Sequence, residues 1–339
     1  KGHIFKTNSD TEVLVHGYEE WGKELPVRLR GMFAFAIHDV VHNILFIARD
    51  HFGIKPLYYR MYEGQIVSFA SEIKSILADT TYQREIDMDA VFAYTTLQYS
   101  PKTSTFFKTI HKLNPGHSLT IDLHTEAYLF EKYWQFSFLD GRQVDDNYEG
   151  KKEQIKDVLT DSVAHHMIAD VPVASFLSSG VDSSIIASLA HAHIQSNNPE
   201  AKLKTYTIGF HENRSETEDA AEHAKYLGTD HKEIQISFDD YFNVLKKCAW
   251  HFDEPVADPS AISLYLMARA VAKEVKVVLS GEGADELFGG YGIYQESHNP
   301  WIKLITRQPT WIKKGVLKPI SVCLNLITDI IPILKKMPG

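Results

Sequence analysis

Val171-Pro172-Val173-Ala174-Ser175-Phe176-Leu177-Ser178-Ser179-Gly180-Val181-Asp182-Ser183-Ser184 is the stretch on which the reading of this chain turns. Val171 to Leu177 is an apolar run that reads as a buried strand, and Ile185 to Ala192 reads as the first turns of a helix. The small residues between them let a phosphate approach the backbone, and the free N–H groups of the first helical turn face it. Asp182 cannot attract a phosphate; its sensible role is to hold a magnesium ion that does. The stretch is not the common nucleotide loop, because no Lys follows Gly180, nor a dinucleotide fingerprint, because it has a single glycine. An ordinary tight strand-to-helix connection has the same spacing, so the rest of the chain must decide.

Downstream, strands and helices alternate. A strand at 204–210 is followed by a helix at 216–227, a β run at 232–236, helices at 241–252 and 262–273, and the apolar strand 276–279. This order implies a parallel sheet covered on both faces, with ligands at the carboxyl ends of its strands. At such an end stands Ser280-Gly281-Glu282-Gly283-Ala284-Asp285-Glu286-Leu287-Phe288-Gly289-Gly290-Tyr291, with four glycines and three carboxylates. That density suggests metal coordination or a handle for an amine; a merely acidic, flexible loop is the alternative. Two strand-end loops that each supply an Asp could share one magnesium on a triphosphate.

Upstream of about residue 140 the pattern is β-rich. Runs at 30–37, 44–48, 56–59 and 66–70 are separated by turn signals, Asn114-Pro115-Gly116-His117 among them, with one helix at 10–21. The 339 residues suggest two domains. We place them at 1–140 and 149–339, joined by a polar linker at 141–148. A net charge of −9 argues against a bulk-basic nucleic-acid binder. The two cysteines, Cys248 and Cys323, fit a reducing cytoplasm and show no metal-ligand spacing. The apolar run 320–334 is too short and too interrupted to span a bilayer, and reads as a buried helix or one awaiting a cover, with a membrane-surface helix as the alternative because Lys335 and Lys336 follow.

Ser178 to Ser183 resembles the PP-loop of the ATP pyrophosphatases. Leu177 to Ser184 together with Ser280 to Tyr291 resembles the glutamine-dependent asparagine synthetase family. Asp253-Glu254-Pro255 with Asp258-Pro259-Ser260 is similar to the loop this family carries between those motifs. Arg49 to Tyr59 and Phe69 to Lys74 resemble its glutaminase domain, a class II amidotransferase with an N-terminal-nucleophile fold. The resemblance implies a truncated glutaminase sandwich followed by a parallel-sheet PP-loop domain of the adenine nucleotide alpha hydrolase kind.

The resemblance also implies a reaction and its residues. ATP would adenylate the side-chain carboxylate of aspartate, and glutamine-derived ammonia would attack the aspartyl-adenylate, releasing AMP. Ser178, Ser179, Gly180, Asp182 and Ser183 would hold the pyrophosphate end of ATP. Leu177, Ile208, Ser280 and Gly281 would lie along the nucleotide. Asp182 and Asp285 would bind Mg2+, and Glu282 would orient the ammonia. Asp10 would recognise the α-amino group of glutamine, although a helix N-cap is an equal reading of an Asp there. The family's nucleophile is an N-terminal cysteine, which Lys1 does not supply, and its C-terminal helical continuation is not found in 301–339. The expectation is therefore an internal piece of a longer protein, without glutaminase activity of its own. The partners expected are small molecules, with no nucleic acid and no membrane, and with a homodimer as an option. A relative that amidates another carboxylate (of a peptide, an antibiotic or a surface glycan) and a non-catalytic nucleotide-binding paralogue are the competing readings.

Overall fold

The computed structural model describes residues 2–137, 147–210, 215–292 and 294. Of the expected linker only residues 147 and 148 are described, and the run 320–334 lies outside the described residues. The chain folds as two compact units that do not follow chain order. One takes 1–154 and 235–273; the other takes 155–234 and the residues from 274 on.

The first unit begins with α1 (Asp10–Trp21) and α2 (Leu25–Arg28), then β1 (Ala34–Asp39), β2 (Ile44–Arg49), β3 (Tyr58–Tyr62) and β4 (Gln65–Ala70). It continues with α3 (Ile73–Leu77), α4 (Met88–Leu97), β5 (Ile110–Lys112), β6 (His117–Asp122) and β7 (Tyr128–Lys132). The strands make two antiparallel sheets, ordered β1-β2-β6-β7 and β4-β3-β5. Alternate residues of β2, β3 and β6 meet as one core of Ile47, Tyr59, Leu119 and Ile121, joined by Leu57 and Leu113. Each such aliphatic side chain contributes about 1.5–3 kcal/mol by leaving water. α4 has no single apolar face: Met88 and Phe92 are exposed, so periodicity does not announce it. Its start is local chemistry instead. Asp87 accepts from the N–H groups of Asp89 (3.0 Å) and Ala90 (3.2 Å).

Arg49 and Asp50 act as a structural knot here. The buried Asp50 carboxylate accepts from the N–H groups of Phe52, Ile54 and Lys55 at 3.1, 3.0 and 2.9 Å. Arg49 donates to the carbonyls of Gly53, Lys55 and Leu113. All three of its hydrogen bonds go to backbone, which pins a turn that sequence pattern alone leaves open.

The segment 235–273 adds α8 (Phe238–Asn243), α9 (Leu245–Phe252) and α10 (Ser260–Val271) to this unit. The single helix expected at 241–252 is two helices that meet at the buried Val244 (φ −98°, ψ −6°). What ties the segment to its unit is the acidic loop. Asp253 accepts from Ile73 N–H at 2.7 Å and pairs with Lys74 at 3.1 Å. Glu254 accepts from Phe106 N–H (2.6 Å) and Ser100 Oγ (3.2 Å), with Lys112 Nζ at 3.6 Å. Those bonds are the physical reason the compact units cut across the expected boundary at 149.

The second unit holds α5 (Tyr148–His166) from residue 155 on, β8 (Val173–Phe176), α6 (Val181–Asn197), β9 (Lys204–Phe210), α7 (Ser215–Leu227), β10 (Asp230–Ile236), β11 (Val277–Leu279) and α11 (Ala284–Phe288). Its sheet runs β10-β9-β8-β11, and β8 pairs parallel with both β9 and β11. The expected parallel sheet is present. Its core gathers Val163, Leu177, Ala187, Ala190, Leu203 and Ala224. No helix among the described residues is long and apolar enough to cross a membrane.

Candidate functional site

The chain leaves β8 for β9 on one side and returns as β11 on the other, so the strand order reverses at β8. A crevice opens at such a reversal, outside the carboxyl ends of the two strands. Both singled-out loops lie there. Ser178 to Gly180 follow β8, and Ser280 to Gly283 follow β11, its hydrogen-bonded neighbour.

The first loop is held by its own serines. Ser178 Oγ lies 2.8 Å from Ser183 Oγ and accepts from Gly180 N–H at 3.1 Å; Ser178 N–H donates to Ser183 Oγ at 3.1 Å. Ser184 Oγ reaches both the Gly180 carbonyl (2.9 Å) and His223 Nδ1 (3.0 Å). Gly180 is the N-cap of the 17-residue α6 and brings no side chain to its first-turn N–H groups. Those donors and the positive end of the helix are left for an anion. Asp182 stands in that first turn.

The second loop presses on the first. A Cβ on Gly281 would lie 2.8 Å from Ser183 N and 3.0 Å from Asp182 Cβ, so only glycine permits this approach. Gly283 takes φ +90° and starts α11, which puts Asp285 in its first turn. Four Cα steps separate Gly281 from Asp285, a reach of at most about 14 Å. Gly290 packs on the Asp285 side chain and donates its N–H to the Asp285 carbonyl at 3.0 Å. Beside it, Tyr291 donates to Glu286 at 2.9 Å, which pushes the phenol up to about 12 and keeps it neutral. Among the described residues, no hydrogen bond or ion pair engages the carboxylates of Asp182, Glu282 or Asp285.

A pocket of about 480 Å³ opens beside the junction. Asp182, Ser280, Gly281 and Glu282 line it, with Ile155 and Phe288 among its apolar residues. Leu177 is buried at the base of the first loop, where its N–H bonds the Tyr206 carbonyl at 2.9 Å. Ile208 lies further along β9, and its neighbour Gly209 is pressed against Thr217 (2.2 Å from a built Cβ). Thr217 and His223 are contributions from α7 that motif reading does not find, since neither stands in a signature.

Asp10 sits apart from these residues in sequence and in unit. It is the first residue of α1 and not its cap: Ser9 is the N-cap, accepting from Thr11 N–H at 3.2 Å. The capping alternative for Asp10 is therefore overturned by the residue one position earlier. Asp10 lines a pocket of about 490 Å³ with Arg30, Phe33, Lys55 and Ser71. Cys248 is buried and burial pushes its thiol up, as befits a core residue.

Residues 154–320 match the family model for asparagine synthase, and residues 1–134 match the glutamine amidotransferase domain. Asparagine synthetase [glutamine-hydrolyzing] 1 of Bacillus subtilis is 42% identical over 95% of this chain and 49% of its own length. A putative asparagine synthetase of Mycobacterium tuberculosis is 44% identical over 87% of the chain and 45% of its own length. A putative asparagine synthetase of Methanocaldococcus jannaschii is 32% identical over 96% and 62%. The chain spans about half the length of the first two relatives. With both family models met in order, and relatives matched from the β-rich half through the two strand-end loops, this chain belongs to the glutamine-hydrolysing asparagine synthetase family.

Proposed function

We propose that the whole protein is an ATP-dependent amide ligase that converts aspartate to asparagine, and that this chain carries its nucleotide site. The observation that supports this most is the contact of Gly281 with the Asp182–Ser183 backbone. It joins a phosphate-type cradle to an acidic loop at the reversal point of a parallel sheet.

In this reading the first-turn N–H groups of α6, with Ser178, Ser179, Gly180 and Ser183, receive the pyrophosphate of ATP. Leu177, Ile208, Ser280 and Gly281 flank the nucleoside. A carboxylate is a poor electrophile, and adenylation gives it a leaving group. Donors preset at the cradle stabilise the charge that builds on the departing pyrophosphate. Asp182 and Asp285 fit a hard divalent cation, since both offer carboxylate oxygens without a protein partner among the described residues. Bound there, Mg2+ would neutralise phosphate charge. Glu282, exposed on the acidic loop, would accept the proton of the incoming ammonia or orient it, an effect worth about 10²–10⁴-fold. Asp10 would meet the α-ammonium group of glutamine, with Arg30 and Lys55 in the same pocket for its carboxylate. This chemistry belongs in the cytoplasm, where ATP and glutamine are available.

Pyrophosphate exchange into ATP tests the reading on the intact protein. Exchange that depends on aspartate supports it. Exchange that answers only to another acid moves the protein to a ligase of that acid, and no exchange with any acid leaves a nucleotide-binding paralogue.

A further inference from the structure

Outside both pockets, the start of the chain and one face of α1 bring two imidazoles and a carboxylate to a common point. We propose that His3, His16 and Glu19 form a binding site for a divalent transition metal of the zinc class, with the fourth position open to water.

The donor atoms form a nearly equilateral triangle. His3 Nδ1 and His16 Nδ1 are 3.1 Å apart, and Glu19 Oε2 lies 3.4 Å from the first and 3.2 Å from the second. A tetrahedral centre with bonds of about 2.0–2.1 Å sets its ligand atoms about 3.3 Å apart, which is the edge found here. Two histidines and one carboxylate are a donor set that zinc uses when it keeps an open position. His16 and Glu19 share a helical face because they stand three residues apart. His3 is held beside them by the segment 2–7. There the Lys6 and Thr7 N–H groups both donate to Glu12 at 2.7 Å, and the Phe5 ring packs edge-on against His16 with centroids 4.8 Å apart.

The outer nitrogen of His3 argues the same way. His3 Nε2 bonds Glu20 Oε1 at 2.9 Å, while the buried His16 Nε2 makes no hydrogen bond among the described residues, with Glu12 Oε1 3.5 Å away. A carboxylate behind a ring nitrogen sets the tautomer and turns the opposite lone pair toward the metal. The two Nδ1 atoms face each other across 3.1 Å, beside the same Glu19 oxygen. Glu12, Glu19 and Glu20 add three carboxylates around two imidazoles, so a divalent ion also offsets the local charge. The histidines are about three-quarters buried on their side chains, while Glu19 is 58% exposed and leaves an entry from solvent. The site would clip residues 2–6 onto α1, whose first turns line the Asp10 pocket.

Cobalt(II), a spectroscopic substitute for zinc, tests this on the full 339-residue chain stripped with chelator. The expected result is a visible spectrum of a tetrahedral centre that saturates at one equivalent and is displaced by zinc. His16→Gln is expected to weaken cobalt binding at least a hundredfold. Glu19→Gln, at an exposed position that folding does not need, should weaken it at least tenfold. Glu20→Gln should weaken it by about 10–100-fold through the ring it orients. His124→Gln, on an exposed turn, should change nothing. Absence of a tetrahedral spectrum up to millimolar cobalt would overturn the proposal, as would unaltered affinity in Glu19→Gln. Either result would leave the two imidazoles sharing a proton instead of a metal.

Discussion

Two acidic loops in this chain use the same residue types and put them to opposite ends. At Asp253-Glu254 the carboxylates are consumed by the protein: they accept backbone N–H groups at 2.7 and 2.6 Å and neutralise lysines. At Asp182, Glu282 and Asp285 no described group answers the charge. A carboxylate with its partners built in stabilises a fold, whereas one kept solvated and unpaired beside exposed helix N–H groups is available to a ligand. Both loops carry motif residues of the family, so motif membership alone does not say which kind a residue is. The partner inventory does.

The largest expected effect tests the junction on which the unpaired loop depends. Gly281→Ala puts a methyl 2.8 Å from Ser183 N, against backbone that cannot rotate away. The loops must part, and ATP affinity should fall at least about a hundredfold, near 3 kcal/mol, with the melting temperature little changed. Equilibrium binding of ATP with magnesium checks this. An alanine variant that binds like the parent would mean the two loops do not build one site.

Next comes the committed loop. Asp253→Ala strands the Ile73 N–H at the start of α3 and leaves Lys74, 17% exposed, without its main anion. Denaturant unfolding should show a loss of about 2 kcal/mol. ATP affinity should hold within twofold. The reverse outcome, a stable protein with weakened nucleotide binding, would erase the distinction between the loops.

Asp182→Asn should behave in the opposite sense. Its carboxylate has no described partner to lose, so stability should stay within about 0.5 kcal/mol. Magnesium-dependent ATP affinity should fall about tenfold or more, near 1.4 kcal/mol, while any magnesium-independent binding persists. Unchanged magnesium dependence would remove Asp182 from the metal role.

How much of this was legible in the sequence follows from how local each cause is. The parallel sheet and its two loops could be read because strand, small-residue turn and helix are contiguous in the chain. α4 was not legible, since its helix is set by the Asp87 cap and not by periodicity. The fate of Asp253 and Glu254 was hidden because their partners lie about 150–180 positions away in sequence. Asp10 shows a finer limit: an Asp before a helix resembles a cap, but the neighbouring Ser9 fills that position. The His3–His16–Glu19 cluster left only a faint trace, the three-residue spacing of His16 and Glu19, because its third member comes from outside the helix.

Another acid extends the comparison to pH. Glu274 sits on the committed side: Lys232 donates to it, and Tyr206 donates at 3.0 Å. These bonds, with that of Lys232 first, hold its carboxyl below the usual range. The buried Tyr206 phenol is in turn pushed up to about 12, first by burial and then by the Glu274 carboxylate. A folded value above the unfolded one, about 10, means the phenol's contribution is complete below pH 10 and is lost as pH rises through about 12. Stability should therefore decline across that window by an amount on the order of 1 kcal/mol assignable to Tyr206. Tyr206→Phe keeps the ring in the core and removes the titrating proton. Unfolding free energies of the two proteins, compared from pH 9 to 12, should converge as pH rises. Parallel curves would show that Glu274 does not hold the phenol in its neutral form.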